Sequence, residues 1–417
     1  MRVIKIVALR ISLIKLLVIL FAAVIVISGL VWMVIYPNRI QTETYIPHEP
    51  ILIKYDSNFT DYGFPGNGTA EDPFIIEGYY INSSLDAIRI LDTTRYFEIR
   101  NCKLESVRRE IYIRYIAPYT CKIFNNILVN GIIYIDHCKG ITIESNVLSN
   151  AISLDSCSFS NINNNTITNS LWGIALWESN YCIARNNTVT AERTVEHRIG
   201  ISSGGQGNRI EYNTIRNMYF GLYVGYLDVT CAFNLISDCY SGIETTGYAS
   251  GFNISNNEIS NCDYTGISLY KSWDSLCINN YIKNASIGIR LDSCRLDTLA
   301  NNTIIQNEVG IEVKDGMLGT ISYINTQNIT IKFNQILNST SYGIKNGYRC
   351  RYSQIYLNTF MFNNIYGTSQ AYDDGFFSQW YNDDLIGNFW NNGTLDEYSI
   401  DGDSNSTDSY PLAYPPI

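Results

Sequence analysis

Apolar and polar residues follow a phrase of the form I-x-x-N-x-I along most of the chain, as in INNNTITN (Ile162 to Asn169), IEYNTIRN (Ile210 to Asn217), ISNNEISN (Ile254 to Asn261) and IKFNQILN (Ile331 to Asn338). Its Asn falls at Asn126, Asn146, Asn165, Asn187, Asn213, Asn234, Asn257, Asn280, Asn302, Asn334 and Asn358, with Tyr79 and Cys102 in the same slot upstream. The mean interval is about 23 residues, too short for paired helices and long enough for three short strands. Within a unit the apolar positions have period 2, as in Gly288-Ile289-Arg290-Leu291-Asp292, so each strand turns one face inward. A small residue opens the following strand, at Ala151, Gly173, Gly200, Gly221, Gly242, Gly266, Gly288, Gly310 and Gly343, which calls for either a left-handed φ or close approach between neighbouring units. The pattern predicts an all-β solenoid of about 12–13 coils.

The repeated residue has a physical reason to be Asn. Stacked coils lie about 4.8 Å apart, so one slot in successive coils forms a ladder. An amide carries donors and an acceptor together, and it can bond both the next amide and the backbone of its own bend. On these repeats the chain resembles the right-handed parallel β-helix proteins of the pectin-lyase-like class, in the branch of NosD-like and carbohydrate-binding or sugar-hydrolase repeats. The resemblance covers about residues 50 to 410. The stretch Gly63 to Tyr79 (GFPGNGTAEDPFIIEGY) is similar to the capping segment of archaeal members, and Ile386 to Trp390 (IGNFW) resembles their closing segment. It implies a fold and leaves function open, because lyases, hydrolases, epimerases, accessory proteins and binding modules share it.

The first residues have a different pattern. From Ile11 to Tyr36 the only charge is Lys15, which is long enough for a helix to cross a bilayer. Arg2, Lys5, Arg10 and Lys15 lie on its N-terminal side and only Arg39 closely follows, so the solenoid is expected outside the cell membrane, on a single-pass anchor with a cytoplasmic N-terminus. The expected organisation is a cytoplasmic tip and anchor (1–36), a stalk (37–50), an N-terminal cap (51–78), the β-helix (79–365), and a C-terminal cap with an acidic tail (366–417). Five of the 29 Lys/Arg and two of the 39 Asp/Glu lie in residues 1–50, so the remainder carries a net charge of about −13. That excludes nucleic acid as a partner, because phosphate binding needs clustered Lys and Arg.

Eleven Cys in an exported chain would point to disulfides, but most of these recur with the coil. Cys138, Cys157, Cys294 and Cys350 stand eight residues before a ladder Asn, and Cys231 and Cys277 three before one. They read as small buried hydrophobes, with Cys138–Cys157 the first pair to consider for a bridge. Asn-x-Ser/Thr sequons, including Asn58, Asn67, Asn82, Asn328 and Asn392, fit a surface glycoprotein.

Candidate chemistry lies on the outward positions. Asp136 and Asp155 end strands of consecutive coils with His137 beside them, and two carboxylates one strand spacing apart can bind a cation, or raise one pKa and act as acid and nucleophile as in retaining glycosidases. Arg290 and Lys314 stand near Asp292 and Asp315 in the same way. The paired-Asp plus GHG arrangement of polygalacturonases is missing, as is the DPHD of alginate epimerases. Trp177, Tyr223, Tyr270 and Trp273 are candidate ligand contacts, because aromatic faces stack on the apolar faces of sugars. Asp401, Asp403, Asn405 and Asp408 alternate like the oxygen ligands of a Ca²⁺ loop, though without the closing Glu of an EF-hand. Insertions at 189–199, 315–328 and 366–386 interrupt the period and are expected to project as loops.

The chain therefore reads as a membrane-anchored extracellular β-helix for binding or surface structure, with an extracellular glycan or a surface protein as partner. The alternatives are a polysaccharide lyase or hydrolase, or a NosD-like accessory scaffold. For the last, three His and five Met are few for copper.

Overall fold

A computed structural model describes residues 45–192, 197–247, 249–315, 326–392 and 396–416. The predicted anchor, and parts of the insertions at 189–199 and 315–328, lie outside these residues. Among the described residues no helix is long and apolar enough to cross a membrane.

The alternating pattern becomes a right-handed parallel solenoid. Its strands form one 13-stranded sheet, from Phe74–Glu77 to Gln354–Tyr356, and one 27-stranded sheet that runs around the other faces. In the smaller sheet every pairing between successive coils is parallel and in register. In the smaller sheet the inward positions stack as Ile143, Ile162, Ala184, Ile210, Cys231, Ile254, Cys277, Leu299 and Ile331, all buried. Cys231 and Cys277 thus occupy Ile slots. All eleven Cys are free and buried, and burial raises the Cys102, Cys138 and Cys182 thiols to about 11.

The Asn slot forms a continuous internal ladder. Each backbone N–H and each Nδ2 donates to the Oδ1 of the Asn one coil on, while Nδ2 also donates to a main-chain carbonyl, as at Asn234 (3.0, 3.0 and 2.9 Å). The ladder begins where the Cys102 N–H meets Asn126 and extends one rung beyond Asn358, to Asn388 of the IGNFW segment. Asp408 ends it. Its carboxylate accepts the N–H of Asn388 at 2.7 Å, the indole N–H of Trp390 at 2.9 Å and the N–H of Tyr410 at 3.1 Å. An acceptor-only group fits there because only donors converge on it.

The repeated glycines have the second of the two reasons foreseen. A Cβ on Gly200 would lie 2.4 Å from the Gly221 carbonyl, and one on Gly221 2.5 Å from that of Gly242, so this column lets adjacent coils approach. The left-handed turns fall to other residues, many of them Asn: Asn164, Asn186, Asn256, Asn279 and Asn301 have φ between 54° and 56°.

Aromatic residues close both ends of the core. The short helix Asn58–Asp61 stacks Phe59 on Phe74 (4.7 Å), and Trp390 lies between Phe360 (4.1 Å) and Tyr398 (4.0 Å). The solenoid pairing starts inside the expected stalk, since Ile46–Pro47 already pairs with Tyr79 and Tyr80. In the 366–386 insertion Asp373 is buried, where it accepts the indole N–H of Trp380 (2.9 Å) and the Asn346 amide (2.8 Å). That insertion is therefore largely part of the C-terminal cap.

Candidate functional site

The larger sheet presents one face on which two outward rows run side by side. The residue two places after each repeated Gly sets the first row: Ala175, Ser202, Tyr223, Glu244, Ser268, Arg290 and Glu312 pair in that order. The second row lies two residues further along each strand. It reads Arg114, Asp136, Asp155, Trp177 and Gly204, then Gly225 and Thr246 by continuation of the register, then Tyr270, Asp292 and Lys314.

Small residues between large ones make a trough. From Trp177 to Tyr270 the second row holds only Gly204, Gly225 and Thr246, over four strand spacings or about 19 Å. At its Trp177 end is a groove of about 240 Å³ lined by Trp177, Ser202, Gly204, Tyr223, Tyr226 and Thr246. Trp177 is 43% and Tyr226 57% exposed. Packing does not require the glycine at 204. An added Cβ there would meet nothing nearer than the Leu176 carbonyl at 3.5 Å.

The trough floor continues into a charged cluster. Glu244 follows Tyr223 in the first row, is half-buried, and accepts the Ser268 hydroxyl at 3.1 Å. Arg290 lies 3.5 Å from Glu312 and 3.7 Å from Asp292, with the Tyr264 ring 5.3 Å from its guanidinium. Lys314 reaches Asp292 at 3.3 Å. Burial pushes the Glu244 carboxyl up to about 7, against the lowering pull of the Ser268 hydroxyl and Arg290, with Asp292 adding to the rise. Burial also raises Asp292, opposed by the Ser293 hydroxyl, Arg290 and Lys271.

The structure brings some of the expected residues together. Asp136 and Asp155 are direct register partners and share the second row with Trp177. Each carboxylate already has partners: Asp136 pairs with Arg114 at 2.7 Å and with the His137 ring, and Asp155 accepts the Tyr134 and Ser156 hydroxyls at 3.1 Å. Trp177 and Tyr223 share the groove, and Tyr270 bounds the trough. Trp273 does not, because the chain turns a corner at Lys271 (φ 51°) and Trp273 pairs with Ser250 in a separate two-stranded sheet. The four tail residues form no common oxygen cage. Asp401 accepts the Thr368 hydroxyl at 2.6 Å, the Asp403 N–H goes to Asp374 at 2.7 Å, Asn405 takes a left-handed turn, and Asp408 points inward to end the ladder. Among the described residues no three His, Cys, Asp or Glu side chains converge as metal ligands. Sequence reading passed over Glu244, Ser268 and Glu312, although the position two after the repeated Gly marks each of them.

Two sequence families match the chain: the right-handed β-helix region over residues 199–360, and the periplasmic copper-binding protein NosD over residues 66–198. No curated protein matches. Among solved structures, the tailspike of E. coli bacteriophage HK620 in complex with a hexasaccharide is 10% identical, covering 73% of this chain and 70% of its own, with a TM-score of 0.51. The periplasmic alginate epimerase AlgG is 14% identical, covering 72% and 77%, with a TM-score of 0.43. The catalytic domain of a GH87 α-1,3-glucanase bound to nigerose is 14% identical, covering 85% and 70%, with a TM-score of 0.47. The residues do not fit the copper of the NosD name, since the thiols are all buried in the core and no ligand cluster is found among the described residues. With its parallel coils, its in-register ladder and these two matches, the chain is a right-handed parallel β-helix repeat protein that is similar to the NosD family over residues 66–198.

Proposed function

We propose that this β-helix is an extracellular, membrane-anchored module that binds an extended glycan along the trough between Trp177 and Tyr270. The observation that carries the reading is the groove itself, in which exposed Trp177 and Tyr226 and the ring of Tyr223 surround Ser202, Gly204 and Thr246. Aromatic faces cover sugar C–H surfaces while hydroxyls and main-chain groups meet sugar hydroxyls. A row that repeats once per coil suits a polymer. The anchor rests on the apolar run from Ile11 to Tyr36, in which Lys15 is the only charge.

Affinity electrophoresis of the full-length protein in detergent, through gels containing a panel of polysaccharides, tests the reading. Retardation by at least one polymer is expected, with Trp177→Ala and Tyr223→Ala each weakening it by about tenfold or more. Retardation that both variants leave unchanged would remove the trough from the account. Alkaline extraction of membranes tests the anchor, which predicts that the chain stays in the pellet.

A further inference from the structure

We infer that Asn186, Asn301, Asn328 and Asn338 carry Asn-linked glycans, and that the first sugar of each lies on an aromatic ring of the following coil. Only the outward placement of the solenoid is shared with the glycan-binding reading; the trough takes no part.

Sequons alone would not select these four, because an Asn-rich repeat generates them by composition. Six sequon Asn stand at left-handed corners of the solenoid, and all six are exposed: Asn164, Asn186, Asn284, Asn301, Asn328 and Asn338. Corner residues stack from coil to coil. Each N–H donates to the carbonyl just before the next corner, as from Asn328 to Arg351 at 3.0 Å. The next corner is aromatic in four cases: Tyr212 after Asn186, Phe333 after Asn301, Tyr352 after Asn328 and Phe362 after Asn338. The other left-handed Asn that stack in this way are Asn101, Asn125, Asn169, Asn217, Asn256, Asn261 and Asn279, none of them in a sequon. Asn, Ser, Ala or Asp follows each of those, so the corner itself does not ask for an aromatic.

The side-chain amides divide in the same way. Asn164 donates its Nδ2 to Glu144 at 3.3 Å and Asn284 to Asn261 at 3.1 Å, and neither has an aromatic at the next corner. The Nδ2 groups of the other four meet no acceptor among the described residues.

Asn328 shows the seat most clearly. Leu296, Asn328, Tyr352 and Phe377 hold the same corner of four successive coils with φ between 56° and 61°, so their side chains project in one direction. Tyr352 stacks on Phe377 at 5.3 Å, which leaves its other face toward Asn328. The short amide makes a gap in this column, a groove of about 600 Å³ that the sequon's own Thr330 also lines. A sugar on Nδ2 fills that gap, with its C–H face on Tyr352 and Leu296 behind it. Gln354 and Gln379 along the groove can meet its hydroxyls. Asn301, Thr303 and Phe333 line a smaller groove of about 140 Å³. At Asn186 the Arg185 guanidinium lies 4.6 Å from the Tyr212 ring, and the sugar there displaces it.

Attachment balances with a lipid-phosphate-linked sugar as co-reactant. A bond forms between Nδ2 and the anomeric carbon while the bond from that carbon to the phosphate oxygen breaks. The lipid phosphate leaves with the electron pair, and Nδ2 loses one proton to the base of the transferase.

Glycopeptide mass spectrometry and melting of the full-length protein, purified in detergent from a host whose own membrane proteins carry sugars on Asn-x-Ser/Thr, test the inference. Sugar is expected on Asn186, Asn301, Asn328 and Asn338, with lower occupancy on Asn164 and Asn284. Asn328→Gln should lower the melting temperature by about 2 °C, and Tyr352→Ala should cost the glycosylated protein more than it costs the Asn328→Gln variant. Labelling of intact cells with a membrane-impermeant amine reagent reports placement. Bare sites on a chain that labels overturn the inference alone; bare sites on a chain that does not label overturn the outward placement with it. Equal occupancy at all six corners, or an equal cost of Tyr352→Ala with and without the sugar, also overturns it.

Discussion

Replacing one internal rung of the ladder should cost more than its small volume suggests, and Asn257→Ala is the sharpest case. The Asn257 side chain takes part in four hydrogen bonds. Its Oδ1 accepts the N–H and Nδ2 of Asn234 at 3.0 Å, and its Nδ2 donates to the Cys231 carbonyl at 2.9 Å and to Asn280 Oδ1 at 3.0 Å. Alanine deletes all four. Asn280 Oδ1 keeps the Asn257 N–H, and Asn234 Nδ2 keeps the Ile210 carbonyl, but the Asn234 N–H is left buried without its partner. At about 1 kcal/mol net for each of the four bonds, with about 1–3 kcal/mol more for the orphaned donor, the loss is about 5–7 kcal/mol. Stability in a solenoid is shared between neighbours, so the damage should be local. Hydrogen exchange should show lost protection at Asn234 and in strands Thr230–Ala232 and Asn253–Ser255, together with a lower denaturation midpoint. A loss under about 1 kcal/mol with unchanged exchange would refute the ladder as a main source of cohesion.

Three further outcomes follow from the same geometry. The Glu244 carboxyl is raised from 4.5 to about 7, so the folded state holds its proton more tightly than the unfolded chain. Its contribution to stability is full below pH 4.5 and fades as pH rises through 7, by at most about 3 kcal/mol, and Glu244→Gln should flatten that slope in melts taken from pH 5 to 8. Asp408→Asn places an amide where only donors converge, so denaturant titration should show a loss of about 1–3 kcal/mol. Ile254→Ala, at a fully buried position, should cost about 2–5 kcal/mol in the same assay.

The scaffold was readable because its constraints repeat. A residue needed once per coil, such as the ladder Asn or the close-approach Gly, recurs at one interval and identifies itself. Asn388 escaped only because an insertion displaced it from that interval, while its hydrogen bonds are those of every other rung. The proposed groove was legible where it used residues uncommon on an outward face, which is why Trp177 and Tyr223 stood out. Glu244 did not, since a lone Glu after Gly242-Ile243 resembles any solvated strand residue. Its approach to Asp292 depends on two coils stacking in register. Trp273 and Asp408 stand apart from the neighbours expected for them for local reasons: a left-handed turn at Lys271 precedes the first, which pairs with Ser250, and the second pairs antiparallel as Thr407–Asp408 with Tyr398–Ser399 and bonds Asn388.

The most direct test of the trough is to fill it without removing any side chain that would hold the ligand. Gly204 lies in the groove and has room for a side chain, so Gly204→Leu should project into the space beside Trp177 while leaving the coil intact. Calorimetric titration of the full-length protein with an oligosaccharide from the retarding polymer should show affinity at least 30-fold weaker in Gly204→Leu, with an unchanged melting temperature. An unaltered Kd in a variant that melts like the parent would contradict glycan binding at this face.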